Sequence, residues 1–320
     1  EKLFEPAIDY AANGFPVSPW IANSWAGQTA ELGKQPGFAE AFMPNGRAPH
    51  AGEIFRLPAA ARTLELIAKT RGEAYYKGEL GEKIAAHITA NGGAMKASDI
   101  AAHTADWCGT ITQDYRGYTV HEIPPNGQGI AALIALGILD QFDVASLPVD
   151  GVASQHLQIE AMKLAFADVY RYVAEASAME VTPAQMLDPA YLKSRAKLIN
   201  MKKAQDFGAG NPVKGGTIYL SAADENGMMV SFIQSNYMGF GSGCVEPSYG
   251  VSLQNRGHAF NVSAHGHNPA NLVAPGKRPF HTIIPAFLTK DGQPVMSYGV
   301  MGANMQPQGH MQTLVRMLDY

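Results

Sequence analysis

The sequence predicts an α+β fold built of stacked layers, and three observations carry that prediction. Apolar residues recur at helical spacing through the first two thirds of the chain. From Thr217 onward the period changes to two, in strands joined by short turns. Between these regions, 201–216 (MKKAQDFGAGNPVKGG) is polar and aperiodic, with four glycines and a proline, and reads as an exposed flexible linker. Helices and antiparallel strands segregated in this way favour an α+β arrangement over the alternation that builds a parallel βαβ sheet.

The elements follow in order. Residues 58–68 carry Leu64, Ile67 and Ala68 on one helical face. A second helix over 79–90 stops at Asn91-Gly92-Gly93, and Ser98 with Asp99 starts a short third. Residues 115–122 (YRGYTVHE) have strand composition and end at the turn signal Pro124-Pro125-Asn126-Gly127. The strongest helices are 129–142 and 152–174, the latter with a broad stripe of Leu157, Ile159, Met162, Leu164, Ala165 and Val169. Past the linker, 217–223 and 228–235 form a hairpin about Glu225-Asn226-Gly227, because Asn-Gly accepts positive φ. A strand surrounds 250–253, a second hairpin joins 283–289 to 295–300 through Lys290-Asp291-Gly292, and 306–320 closes as a helix.

Composition narrows the function classes. With 24 basic and 28 acidic residues the net charge is −4, and no run of basic residues forms a nucleic-acid footprint. Hydrophobic residues make up 46% and charged residues 16%, enough for a large core and unlike a disordered chain. The apolar run 130–139 is too short to span a bilayer. Cys108 and Cys244 make no disulfide framework. No signal peptide is visible, and the compartment stays open between bacterial cytoplasm and periplasm.

With Asn226 and Gly227 as a two-residue turn, Thr217 is expected opposite Asn236, with Ser235 beside it. Thr217 thus places a hydroxyl next to another hydroxyl at the open end of a hairpin, directly after a flexible segment. A plain reading makes Thr217 a β-branched strand starter. The chemical reading has the chain cut at Gly216–Thr217. Thr217 then becomes an N-terminal nucleophile whose own α-amine, with an unperturbed pKa of ~8, serves as base. Gly216 leaves its carbonyl unhindered for attack by the Thr217 hydroxyl.

These residues lie within a wider likeness. The stretches at 52–68 (GEIFRLPAAARTLELIA), 115–129 (YRGYTVHEIPPNGQG), 156–172 (HLQIEAMKLAFADVYRY) and 275–285 (PGKRPFHTIIP), with TIYLSAADENG from Thr217, GFGSG and GVSLQNR, resemble the γ-glutamyltransferases among the N-terminal-nucleophile hydrolases. The likeness runs over nearly the whole chain. It implies a four-layer αββα sandwich and a self-cutting precursor. Residues 1–216 would be the helix-rich large-subunit part, and 217–320 the strand-rich small-subunit part, of one intertwined structural domain. The subunits would stay associated as a heterodimer, with a dimer of heterodimers allowed. The substrate would be a small amide, with no nucleic acid or membrane as partner and no metal or organic cofactor. Thr217 matches the nucleophile and Ser235 a hydroxyl that bonds it. Gly302 and Ala303 match a Gly-Gly pair whose N–H groups form the oxyanion hole, where Ala303 is acceptable because the donor is main chain.

The departures from the family bear on substrate. Where the family holds the glutamyl ammonium with acidic or amide groups, this sequence has Arg256 and Ala259. The paired serines for the α-carboxylate correspond to His281 and Thr282, and an asparagine near the nucleophile becomes Tyr237; Asn236 joins these as a substrate-binding candidate. The family's N-terminal segment, with its carboxylate-binding arginine, is expected before Glu1, which makes the chain a fragment of a longer protein. Arg256 has a bland reading as a solvated surface cation. Its functional reading is a guanidinium that binds an acyl-side carboxylate and disfavours an α-ammonium. That reading points to glutaryl or cephalosporin-type acylase or oxamate-type amidohydrolase chemistry as the alternative to γ-glutamyl transfer, with a non-catalytic binding relative as the rival of another class. His265-Gly266-His267 lacks a third metal ligand, and the sequence has no GxSxG or HExxH.

Overall fold

The computed structural model describes residues 2–207, 216–263 and 268–320. The linker's 208–215 and the His265/His267 pair therefore fall outside the described residues. The chain forms two compact units, Glu1–Asp106 with Phe240–Asn255, and Trp107–Gly239 with Arg256–Tyr320. Each unit draws on residues from both sides of the Gly216–Thr217 junction.

The first unit is mostly short helices around an aromatic cluster of Trp25, Phe38, Phe42 and Phe55, joined by Val245 from the returning segment. Phe240 packs onto Phe38 with ring centroids 5.2 Å apart. The expected helices appear as Pro58–Thr70, Glu79–Ala90 and Ala97–Ala101. Asp99 caps the last by accepting the Lys96 N–H at 2.8 Å.

The second unit holds every candidate site residue. Its strands are β1 (Ile111–Tyr115), β2 (Tyr118–Glu122), β3 (Gly216–Ala223), β4 (Met229–Tyr237), β5 (Ala286–Lys290) and β6 (Gln293–Tyr298). Its principal helices are α1 (Ile130–Leu139), α2 (Val152–Tyr172), α3 (Pro189–Ala196) and α4 (Gln306–Leu318). An antiparallel sheet runs β6-β5-β2-β1, and β3 and β4 pair separately. Every residue of α1 is buried, so it is apolar all round rather than amphipathic. Leu133, Leu136, Leu157, Leu164, Leu288 and Leu314 share one core cluster, which bonds the helices to one side of the sheet. The β3–β4 hairpin lies against β6, where the missing Cβ of Gly299 is what admits the Tyr219 ring, 2.5 Å from where that Cβ would stand. Helices, sheet and hairpin thus stack as the first three layers, α, β and β, of the expected αββα sandwich, and the outer face of the hairpin is exposed.

Two sequence expectations need correction. The segment 115–122 is not one strand: Arg116 (φ 51°) and Gly117 (φ 79°) both adopt left-handed geometry and turn β1 into β2. The β3–β4 register is also one residue away from expectation. Tyr219 faces Ile233 and Leu220 faces Phe232, so Asn226-Gly227 is not a two-residue turn. The loop has three residues, 225–227. The Gly227 N–H bonds the Asp224 carbonyl at 3.2 Å, and Gly227 takes φ 83°. The Asp224 carboxylate fixes this longer loop by accepting the N–H groups of Asn226 and Met228, each at 2.9 Å.

Candidate active site

The corrected register turns one face of the hairpin inward. Thr217 is buried, while Ile218, Leu220, Val230 and Phe232 are exposed on the opposite face. A register irregularity between Gly216 and Ile218 sits at Thr217 itself. Thr217 nonetheless keeps the inward side of the strand's alternation, and its Oγ1 donates to the Ser235 Oγ at 3.2 Å. The same Ser235 oxygen accepts the Tyr237 N–H at 2.9 Å, which pins it in place. The two hydroxyls predicted to be neighbours are therefore bonded. Asn236 is not brought into this cluster; it is exposed, like Gln234 before it.

Tyr237 leads to the cation. It holds φ 80° and is 5% exposed. The Arg256 guanidinium carbon lies 4.7 Å from the centre of its ring. Arg256 is only 4% exposed, so its reading as a solvated surface residue is overturned. Its Nη1 donates to Thr282 Oγ1 at 2.8 Å. Its Nε and Nη2 are buried without a partner. Among the described residues no carboxylate answers the charge, and burial pulls its pKa down to about 10. It remains a cation at neutral pH, with one edge of its donor fork unused.

His281 adjoins this cation as a neutral donor. Burial first, and then the charge of Arg256, hold its pKa down at about 3. The Ile283 N–H donates to His281 Nδ1 at 3.2 Å, which leaves the ring proton on Nε2. Thr282 is fully buried. The His281 shift has a consequence for stability. Below the ordinary histidine pKa of ~6.5 the unfolded chain binds a proton that the folded chain refuses. The associated stability is complete above pH ~6.5 and is lost as pH falls toward about 3. Urea melts of the wild type and of His281→Asn at pH 7 and pH 4.5 should therefore converge on acidification, by a slope approaching ~1.4 kcal/mol per pH unit. Parallel losses in the two proteins would refute the assignment.

The oxyanion candidates lie between β6 and α4. Gly302 has φ 136°, a conformation that residues with a Cβ rarely adopt, which favours glycine there; an added Cβ would meet the movable Met305 methyl at 2.8 Å. Ala303 follows at φ 50° and opens a short 3₁₀ turn, Ala303–Met305, that runs into α4. The first hydrogen bond of that turn is Met305 N–H to Gly302 C=O at 3.0 Å. N–H groups ahead of it have no partner within the turn and suit an anion.

Two groups nearby escaped sequence reasoning. Gln128 is fully buried and donates its side-chain amide to the carbonyls of Thr282 (2.8 Å) and Ala303 (2.7 Å). Glu122 and His310 form a fully buried pair, Oε1 to Nδ1 at 2.6 Å, tying β2 to α4. Burial pushes the Glu122 pKa up against the pull of His310. The only signal for Gln128 was its place in the IPPNGQG stretch, and nothing in residue type marked Glu122. Among the described residues, no group of three or more His, Cys, Asp or Glu is gathered as a metal site.

A part-buried hydroxyl pair, a buried cation and a glycine turn before a helix share one unit. Over residues 1–320 the sequence matches the gamma-glutamyltranspeptidase family. The chain belongs to the γ-glutamyltranspeptidase family. Within that family it is 36% identical over 318 residues to the glutathione hydrolase-like YwrD proenzyme of Bacillus subtilis, covering 99% of this chain and 60% of that protein. It is 36% identical over 319 residues to the oxamate amidohydrolase proenzyme of Klebsiella pneumoniae, covering 99% of this chain and 59% of that one. The cephalosporin acylase of Bacillus halodurans superposes with a TM-score of 0.89 at 45% identity, over 98% of this chain and 58% of the acylase. These neighbours are N-terminal-nucleophile hydrolases, which agrees with the layered α+β fold. The chain thus spans about 60% of the length of such relatives. Among the described residues, no helix is long and apolar enough to cross a membrane.

Proposed function

We propose that this chain contains the nucleophile and the acyl pocket of a self-processing amidohydrolase or acyltransferase, acting on γ-glutamyl or related anionic amides. The proenzyme names of its relatives support self-cleavage. In the precursor, the Thr217 Oγ1 attacks the Gly216 carbonyl carbon. The C–N bond breaks, the proton passes to the Thr217 nitrogen, and an ester joins the two residues. Water hydrolyses that ester to a Gly216 carboxylate and the Thr217 hydroxyl, leaving a mature Thr217 whose amine the shift has already freed. The mature Thr217 hydroxyl then attacks a substrate amide, with its own amine taking the proton and returning it to the leaving amine. Ser235 orients the nucleophile. The Gly302 and Ala303 N–H groups hold the oxyanion, and water or an acceptor amine resolves the acyl-enzyme.

The single observation that carries the substrate class is Arg256. A buried cation with an unused donor edge, joined through Tyr237 and Ser235 to Thr217, is built to take an anion. An α-ammonium placed there would meet a like charge. The preferred acyl groups therefore end in a carboxylate without an ammonium beside it, as in glutaryl amides or short anionic amides. The test is p-nitroaniline release by the processed protein. Glutaryl-p-nitroanilide should be cleaved faster than γ-glutamyl-p-nitroanilide. The reverse order would overturn the role given to Arg256 while keeping the nucleophile.

A further inference from the structure

The proposed acyl site has two ends, the Gly302–Ala303 turn and the cation with His281 and Thr282. These lie on separate segments of the chain. A third segment, 126–128, runs beside one of them. The His281 N–H bonds the Asn126 carbonyl and the Gln128 N–H bonds the His281 carbonyl, both at 3.0 Å. Asn126 also donates its side-chain amide to the Pro279 carbonyl at 2.6 Å. From this laced strip the Gln128 side chain reaches across, and its single Nε2 bonds the carbonyls of both Thr282 and Ala303. Ala303 needs such a tie, because φ 50° is costly for a residue with a Cβ and persists only where the surroundings hold it. The Ala303 carbonyl is otherwise bonded by the N–H of Gln306, within its own turn.

We infer that Gln128 is a positioning residue that fixes the distance between the oxyanion turn and the anion pocket, and so sets the length of acyl chain the enzyme accepts. This rests on the proposed roles of Arg256 and the oxyanion turn. One NH₂ group holding two carbonyls works as a strut: its two protons are both used, and its Oε1 is buried without a partner. Neither end can move toward or away from the other without breaking one of those bonds. An acyl group with a terminal carboxylate must span the two ends at once, so a fixed span selects one chain length.

The test compares the wild type with Gln128→Met, which keeps the length and burial of the side chain but removes both N–H donors. Gln128→Glu, which keeps the shape and places an acceptor against both carbonyls, serves as a second variant. Two readouts are taken on the full-length protein across linear two- to six-carbon acids. The first is kcat/KM on the ω-carboxyacyl p-nitroanilides. The second is the thermal shift produced by the free dicarboxylates, oxalate to adipate, which needs no catalysis. The wild type should show one preferred length in both. Gln128→Met should flatten the preference at least tenfold, or displace it by a carbon, with Gln128→Glu moving the same way. A loss that is equal at every chain length means a merely structural role and overturns the inference, as does an unchanged profile. If the wild type cleaves no anilide yet its dicarboxylate preference flattens in the variant, the hydrolase reading falls and the strut stands. If anilides are cleaved with the same length profile in all three proteins, the strut falls alone.

Discussion

Thr217→Ala leaves the precursor as one uncut polypeptide and brings amide turnover to background. Two losses combine in that result. The attacking Oγ1 at the Gly216–Thr217 junction is gone, and no α-amine is ever released to act as base. Alanine preserves the strand, and among the described residues the side-chain hydrogen bond removed is the one from Thr217 to Ser235. Such a loss costs stability about 1 kcal/mol, so the protein stays folded. Intact mass under denaturing conditions reads the outcome. The wild type should resolve into two species meeting at Gly216/Thr217, and the variant into one. A Thr217→Ala protein that still cuts itself at that bond would dismiss Thr217 as the nucleophile. A wild type that remains uncut would favour a binding protein that has kept the fold without the chemistry.

Arg256→Met separates stability from activity in opposite directions. The guanidinium is buried beside Tyr237 with no carboxylate partner among the described residues. Replacing buried ion pairs by well-packed apolar side chains is often neutral or stabilising by up to about 4 kcal/mol, and a cation buried without a counter-charge carries the same desolvation cost. Against that gain stand the bond to Thr282 and the contact with the Tyr237 ring, together worth about 1–2 kcal/mol. The variant should therefore melt at or above the temperature of the wild type. Its kcat/KM for glutaryl-p-nitroanilide should fall by roughly 10²–10³, the scale for removing one partner of a buried charged contact. Calorimetry and initial rates measure the pair. A variant that melts lower and keeps its rate would make Arg256 a structural residue.

How far the sequence reached can be judged from these same residues. Periodicity located the hairpin that carries Thr217, because alternation is written in residue type. It missed the register by one, because loop length was decided by the Asp224 carboxylate, and a side-chain cap does not register in a hydropathy pattern. The adjacency of Thr217 and Ser235 survived the slip, since a shift of one residue moves Thr217 from Asn236 toward Ser235, and both stay on the less exposed face of the alternation. Residue type also showed that a cation stands at 256. It could not show burial, which depends on Thr282 and Tyr237 closing around it from distant parts of the chain. Gln128 was unreadable for a related reason: both of its partners are main-chain carbonyls, which every residue possesses.

The hairpin that turns Thr217 inward also turns a ribbon of Ile218, Leu220, Val230 and Phe232 to solvent. For the 320-residue chain handled alone, this is a matter of colloid behaviour rather than chemistry. The sequence pI is about 6.2, so near that pH little net repulsion keeps two such ribbons apart. Turbidity should peak there, and sulfate should deepen it rather than clear it, because excluded salts strengthen apolar association. Leu220→Glu alone, which breaks the ribbon without setting two like charges opposite one another at Leu220 and Phe232, would keep the chain in solution.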